Sequence, residues 1–377
     1  MGKNGNPFCG KKSGIYVSFL KYFIAFQKVL RRGRFRVQDL KNPKRILISN
    51  WANMGDVYLS TSVLPEIKKA FPECEIGFLV APHTQVIIKD HPMIDHIHVI
   101  ENWFLQWKNE SFIKTVLKFF YCILIKHRRV LKEIREKKYD CAIELYPFFP
   151  NTENVFWKAR IPFRIGFSSS GYSRLLSKAI DLPKTKEYLP HLYTGLLREI
   201  GIESELLKPI TPKTRSPSTS AKYLVFHMGT TDLTKEWDIL KWRALAGYLC
   251  DHGYQIFFTG RGEKEKRAIN EVIKDLPFCK SYCDILEWHE FVNLIRDSAL
   301  LVSIDSACVH IAAANDVPFV TLYLNTPNLL MWRPKKQNAY AFVQDREVLF
   351  KSEEEGLFSC NNISPREVLK SIEKLLR

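Results

Sequence analysis

Three short segments combine residue types able to carry out group transfer, and each follows an apolar run. The first is Asn53-Met54-Gly55-Asp56. An aspartate is ionised at neutral pH and can take a proton from an attacking hydroxyl. The glycine before it permits close backbone approach. The same aspartate would also suit a cap on the helix that follows. The second segment is His227-Met228-Gly229-Thr230-Thr231, with Lys235 shortly after it. A glycine, two hydroxyls and a lysine between a strand and a helix suit a phosphate, because helix N-terminal amides and hydroxyls donate hydrogen bonds and lysine supplies charge. The third is Asp305-Ser306-Ala307-Cys308-Val309-His310. Asp305 and Ser306 stand where a strand meets a helix, and His310 falls near the same helical face. Taken singly, each of these residues also fits a cap or a core histidine.

Positioning such loops requires alternating strands and helices. Residues 45–49 read as a first strand, 56–70 as a helix, 75–80 and 96–100 as strands with a helix between them, 111–138 as a long helical stretch and 140–145 as a strand. Residues 207–221, rich in Pro, Ser and Thr, read as a linker. A second series follows, with strands at 223–227, 254–259, 299–304 and 318–324. Its helices are expected at 237–252, 264–276, 286–297, 306–314 and 364–376. In the last of these, Ser364 is the expected cap before Pro365. Strand–helix repetition of this kind predicts an α/β protein with two doubly wound, Rossmann-like domains and a ligand cleft between them. The expected divisions are 1–43 as a basic amphipathic extension, 44–206 as the first domain, 207–221 as linker, 222–360 as the second domain and 361–377 as a terminal helix.

The formal charge is +16, from 56 Lys and Arg against 40 Asp and Glu. It is concentrated in two places. Residues 1–45 hold twelve basic residues and one acid, and residues 105–140 hold ten and four, so the rest is close to neutral. Residues 15–30 suit a helix with Ser18, Lys21, Ala25, Lys28 and Arg32 on a polar stripe opposite Ile15, Phe19, Phe23, Phe26 and Leu30. It is too short and too rich in lysine to span a bilayer, and no small-residue cleavage site marks a signal peptide. An aromatic face and a basic tail suit an anionic membrane surface. The aromatic and basic stretch at 111–126 fits either a second membrane contact or core. No nucleic-acid module accompanies the charge, so nucleic acid is not an expected partner. Nine scattered cysteines, an odd number, fit a reducing setting. Cys279 and Cys283 have no second pair or histidine cluster to complete a zinc site, so no metal site is expected.

In order and at these separations, the three loops resemble the lipopolysaccharide heptosyltransferases of glycosyltransferase family 9. The stretch ILISNWANMGDVYLSTSVLPEIKKAFPECEIGFLVAP is similar to the family's opening strand, glycine–aspartate turn and helix. The similarity resumes at 139–145, is strongest over 223–324, and extends to ISPREVLKSIEKLL at the end. It leaves out the first 40 residues. The resemblance implies a GT-B fold, with an acceptor domain before a donor domain. It implies inverting, metal-independent transfer of heptose from an ADP-sugar to the lipid A–Kdo inner core, with no cofactor. It makes Asp56 the catalytic base, with Asn53 and Gly55 beside the acceptor. It places Thr230, Thr231, Lys235, Asp305, Ser306 and His310 on the donor, with Glu263, or nearly as well Glu265, on the nucleotide. The implied partners are an ADP-sugar, a lipid-linked saccharide and an anionic membrane. The implied setting is the cytoplasmic face of a Gram-negative inner membrane. Four departures stand out: Asn50 where the family usually has Arg, Ala307 for Gly, Met228 for Pro, and Tyr323-Leu324-Asn325 for Phe-Gly-Pro. They leave open another nucleotide-sugar, an epimerase, or a non-catalytic membrane-associated relative.

Overall fold

The computed structural model describes residues 40, 42–101, 121, 126–148, 152–170, 173–184, 187–205, 207–211, 223–230, 232–326, 328–344 and 362–377. The amphipathic extension, the aromatic stretch at 111–126 apart from Tyr121 and Lys126, and most of the linker lie outside these residues. The chain divides into two compact units, Met1–Lys208 and Pro209–Arg377. Among the described residues no helix is long and apolar enough to cross a membrane.

The first unit holds a six-stranded parallel sheet of β1 (Arg45–Ser49), β2 (Glu75–Val80), β3 (His96–Val99), β4 (Cys141–Glu144), β5 (Phe163–Phe167) and β6 (Lys178–Ile180). Its order is β3-β2-β1-β4-β5-β6. Residues 46–49 and 76–80 are buried throughout, as expected of parallel strands covered on both faces. Ile46 pairs with Ile76 on one side and Cys141 on the other. Among the described residues its helices of six residues or more are α1 (Met54–Ser60), α2 (Leu64–Ala70), α3 (His127–Lys137), α4 (Glu153–Lys158) and α5 (Leu189–Arg198).

The helix expected over 56–70 is in fact two. Pro65 occupies the first turn of α2, and Thr61–Val63 tighten to a 3-10 turn between α1 and α2. A proline ring has no N–H and crowds the carbonyl four residues earlier, which ends the α1 ladder. Of the long helix expected over 111–138, the described part is α3. It ends at Lys138, in the left-handed conformation with φ 51°.

The second unit repeats the plan with β7 (Tyr223–His227), β8 (Gln255–Thr259), β9 (Cys279–Ser281), β10 (Leu300–Ile304), β11 (Phe319–Leu324) and β12 (Ala339–Gln344). Their order is β12-β11-β10-β7-β8-β9, all pairs parallel. Among the described residues its helices of six residues or more are α6 (Ile239–Asp251), α7 (Glu263–Ile273), α8 (Trp288–Arg296), α9 (Ala307–Ala314) and α10 (Pro365–Leu376). The terminal helix belongs to this unit. Its Val368 and Ile372 share the buried core with Phe226, Trp242 and Phe258. Ser364 caps it as expected: its Oγ accepts the Glu367 N–H at 3.3 Å, and its own N–H donates to Glu367 Oε2 at 3.0 Å. The Trp237 indole N–H donates to the Ile363 carbonyl at 3.0 Å, which fixes the entry to α10.

One buried polar cluster supports the carboxyl end of the first sheet. Glu144 ends β4 beside Ser49 of β1 and is fully buried. It accepts the Tyr146 N–H at 3.1 Å and the Thr152 N–H at 3.2 Å, together with the Thr152 hydroxyl. Thr152 also contacts the Ser49 hydroxyl. The next residue, Glu153, is equally buried. Burial raises both carboxyls above their ordinary value, and repulsion from Glu153 raises Glu144 further. The hydrogen bonds to Thr152 and Tyr146 act in the opposite direction on Glu144.

The sign of the pH effect follows from those raised values. Between the ordinary value of 4.5 and about 8, the folded chain keeps a proton that the unfolded chain has lost. Stability therefore falls as pH rises through that window. Glu153→Gln removes one member of the pair. Its melting temperature should match the native chain near pH 5 and exceed it by roughly 2 °C or more at pH 9. Scanning calorimetry across that range tests this, and an equal or lower value at pH 9 would refute it.

Candidate active site

In each sheet the strand order reverses once, at β1/β4 and at β7/β10. Crevices at such points, outside the carboxyl ends of the strands, are where open α/β sheets bind ligands. All the sequence-predicted loops lie at these ends or beside them.

In the first unit, β1 runs into buried Asn50. Its Nδ2 donates to the Asp56 carbonyl at 3.1 Å and to Ser60 Oγ at 2.8 Å, while its Oδ1 accepts the Ala52 N–H at 3.1 Å. This neutral amide thus ties the loop after β1 to both ends of α1. Asn53 is the exposed N-cap of α1, Gly55 follows in the first turn, and Asp56 is the third helical residue. Asp56 is only 4% exposed, and its Oδ2 accepts the Asn53 N–H at 3.1 Å. Capping geometry is therefore present at a residue that also stands on the sheet's carboxyl edge. His83, in the turn after β2, reaches the Ala52 backbone, and burial holds its ring below the ordinary histidine value. Around Asp56, burial raises Tyr146 and Tyr193 above the usual phenol range, and the Asp56 charge adds to the shift. Both phenols therefore remain protonated and able to donate.

In the second unit, the loops after β7 and β10 meet through an ion pair. Lys235 Nζ stands 2.7 Å from Asp305 Oδ2, and their side chains are 26% and 20% exposed. Thr230 Oγ1 accepts the Asp232 N–H at 3.0 Å, shaping the turn ahead of Lys235. Thr231 lies outside the described residues. Ser306 is the N-cap of α9: its Oγ accepts the Cys308 N–H at 3.4 Å and lies 3.1 Å from Ser303 Oγ. Ala307 is the first residue of α9. His310 is buried in the same helix. Burial pulls its ring down to about 4, against the pull of Asp305 and with the push of Lys235. It is therefore neutral at pH 7, with one ring nitrogen to donate and one to accept. His227, at the end of β7, is held neutral in the same way, and its Nδ1 lies 2.9 Å from Thr259 Oγ1.

The structure separates the two glutamates of the loop after β8. Glu263 faces solvent, with a side chain 73% exposed, and approaches Lys266 at 4.0 Å. Glu265 turns inward, and its Oε2 accepts the Arg261 N–H at 2.8 Å. A methyl group at Gly229 would lie 2.0 Å from the same oxygen, and one at Gly260 would lie 2.8 Å from it. A side chain at either position would displace this carboxylate from its inward place. Burial raises Glu265 above the ordinary carboxylate value. The loop is held from outside by Asp284, which accepts the Gly262 N–H on both oxygens at 2.9 and 3.0 Å. Gly262 has φ 87°, a conformation that favours glycine. Recognising this glycine as the N-cap of α7 places Glu265 third in the helix, where a carboxylate reaches back over the turn. Among the described residues no group of three His, Cys, Asp or Glu side chains is gathered as a metal site.

Comparison with known proteins follows the same pattern. Residues 127–360, more than half of the chain, match the family described as glycosyltransferase family 9 (heptosyltransferase). Lipopolysaccharide heptosyltransferase 3 of Escherichia coli is 24% identical over 318 residues, covering 76% of this chain and 85% of that protein. The glycosyl transferase family 9 structure from Veillonella parvula DSM 2008 superposes with a TM-score of 0.70 at 21% identity, covering 90% of this chain and 98% of that one. The structure of E. coli ADP-heptose lps heptosyltransferase II gives 0.66 at 21% identity, covering 88% and 98%. Such likeness extends to both α/β units, and the chain belongs to glycosyltransferase family 9.

Proposed function

We propose that this protein transfers a heptose from an ADP-activated donor to the lipid A–Kdo inner core of lipopolysaccharide, with inversion at the anomeric carbon. The observation that carries the reading is the Lys235–Asp305 pair at the β7/β10 reversal, in a member of this family. As the sugar–phosphate bond breaks, negative charge grows on the leaving diphosphate. Lys235, the Thr230 and Thr231 hydroxyls and helix N-terminal amides are the groups proposed to stabilise it, in place of a metal ion. Asp305 and neutral His310 are proposed to hold sugar hydroxyls. Asp56 is proposed to accept the proton of the attacking acceptor hydroxyl, with Asn53 and Gly55 beside the acceptor. Direct displacement then gives ADP and the glycosylated lipid in one step. On the nucleotide side, the inward geometry supports Glu265 rather than solvent-facing Glu263.

A second reading rests on Ala307. Its methyl group stands at the first position of α9, where the family usually has glycine, so a donor with another sugar or nucleotide would fit an altered backbone approach. Incubation with ADP-heptose and other nucleotide-sugars plus lipid A–Kdo, followed by mass spectrometry of the lipid, decides between them. A heptose-mass increase only with ADP-heptose is expected, and an increase only with another donor would select the second reading. With the productive donor, Asp56→Asn should lower turnover at least about a thousandfold while leaving nucleotide affinity within about twofold. Near-native turnover would remove Asp56 from its role.

Donor contacts can be tested by calorimetry with ADP. Lys235→Ala should weaken binding about tenfold or more, and Glu265→Gln more than Glu263→Gln. Equal affinity in Lys235→Ala would reject the phosphate role, and a larger effect at Glu263 would restore that residue.

We further propose attachment to the anionic cytoplasmic face of the inner membrane through the basic residues 1–45. Each Lys or Arg near such a surface contributes about 1 kcal/mol. Removing residues 1–40 should release the protein from phosphatidylglycerol-containing vesicles at physiological salt without changing its melting temperature. Unchanged sedimentation with the vesicles would reject the anchor.

A further inference from the structure

Two cysteines far from the loops described above stand in contact. Cys250 lies in the last turn of α6 and is buried, whereas Cys279 opens β9 and is partly exposed. They are 29 residues apart in sequence, yet their Sγ atoms are 3.3 Å apart. Cys283, the neighbour that sequence spacing suggests, turns instead toward Asp284, with Sγ 3.9 Å from Oδ2. A disulfide requires about 2.0 Å between sulfurs, so the pair must close by roughly 1.3 Å. Side-chain rotation and a small shift of a three-residue edge strand can supply that. β9 pairs with β8 alone, and its first residue sits opposite Ile256 near the start of β8. The thiols are therefore at the amino end of these strands, whereas Thr230, Lys235 and Asp305 follow strand carboxyl ends.

We propose that Cys250 and Cys279 form a reversible disulfide that clamps α6 to the edge strand β9 of the second unit. The oxidant is a small-molecule disulfide of the glutathione class. The Cys279 thiolate attacks one of its sulfurs and forms a mixed disulfide, expelling the first small thiol. The Cys250 thiolate then attacks the Cys279 sulfur and expels the second. The two protons from the cysteines end on the released thiols. The small disulfide is reduced by two electrons and the protein pair is oxidised by two. Burial and the neighbouring Cys250 push the Cys279 thiol well above its usual range, opposed by Arg243. Since the thiolate is the attacking form, exchange is slow at neutral pH and faster in mild alkali. Once formed, the bond restricts the unfolded chain and stabilises the unit. This inference is independent of the transferase reading.

The test uses the full native chain, incubated with oxidised glutathione at pH 8, alkylated and digested for mass spectrometry. A peptide pair joined through Cys250 and Cys279 is expected, two hydrogen masses below the sum of the reduced peptides and released by dithiothreitol. The oxidised protein should melt higher than the reduced one, and Cys250→Ser should lose both effects. Recovery of the two cysteines as separate alkylated or glutathionylated residues overturns the disulfide. A linked pair with an unchanged or lower melting temperature overturns the clamp.

Discussion

Parallel pairing is the constraint on which the rest of the structure depends. Every strand of a parallel sheet ends on the same edge, and the loops after β1, β4, β7, β8 and β10 have no other place to go. Where the order reverses, consecutive connections leave in opposite directions and open a space between neighbouring strand ends. The chain must turn there while still buried, so its backbone groups need partners from within the protein. Asn50 supplies three hydrogen bonds at the end of β1. Glu144 collects two N–H groups at the end of β4. Asp284 takes the Gly262 N–H beside β8. Burial disfavours charge at Asn50 and Glu144. Asn50 has no charge and Glu144 is pushed toward its neutral acid.

One local motif recurs with different consequences. Asp56, Glu290 and Glu367 are each third in their helices, and each accepts the N–H of the cap residue. Glu265 holds the equivalent position in α7 and accepts from Arg261, one residue further back. On the surface the motif is simply a cap: hydrogen bonds from Ser364 lower the Glu367 carboxyl. At Glu265 the same kind of bond is outweighed by burial, and the shift is upward. Asp56 shares the buried setting, at 4% exposed. The capping geometry therefore does not compete with a chemical role for Asp56. It fixes the carboxylate's orientation in a buried place at the sheet edge, which is compatible with the proposed role of proton acceptor.

These distinctions explain what the sequence disclosed. Strands such as β1, β7, β10 and β11 are mostly apolar runs, and their positions follow from composition. Residues 279–281 and 178–180 carry no such run, because edge strands need only one pairing partner and little burial. Pro65 split a helix whose apolar spacing reads as continuous. Asp305, Ser306 and His310 are legible together because six consecutive residues of the chain contain them. The contact of Lys235 with Asp305 spans 70 residues, and that of Cys250 with Cys279 spans 29. Neither pairing is encoded in local spacing. Register creates both, by setting which strands lie side by side. Glu263 and Glu265 differ by two positions, and only the glycine at 262 tells which one faces inward.

The Lys235–Asp305 pair also bears on how a donor would be held. An ion pair this exposed contributes little to stability by itself. Its larger effect is geometric, since it keeps the loops after β7 and β10 at a fixed separation before any ligand arrives. Ordering those loops then need not be met from binding energy. A diphosphate is a stronger partner for Lys235 than one carboxylate, because it offers more charge and more acceptor oxygens. As Lys235 turns to it, Asp305 would lose its counter-charge and gain hydrogen-bonding capacity for a sugar hydroxyl at the same moment. The two loops would exchange partners with each other's help, Lys235 passing from a carboxylate to a phosphate and Asp305 from an ammonium to a hydroxyl. Neutral His310 suits that exchange, for a second positive charge beside the pair would bind Asp305 and hold it away from the sugar.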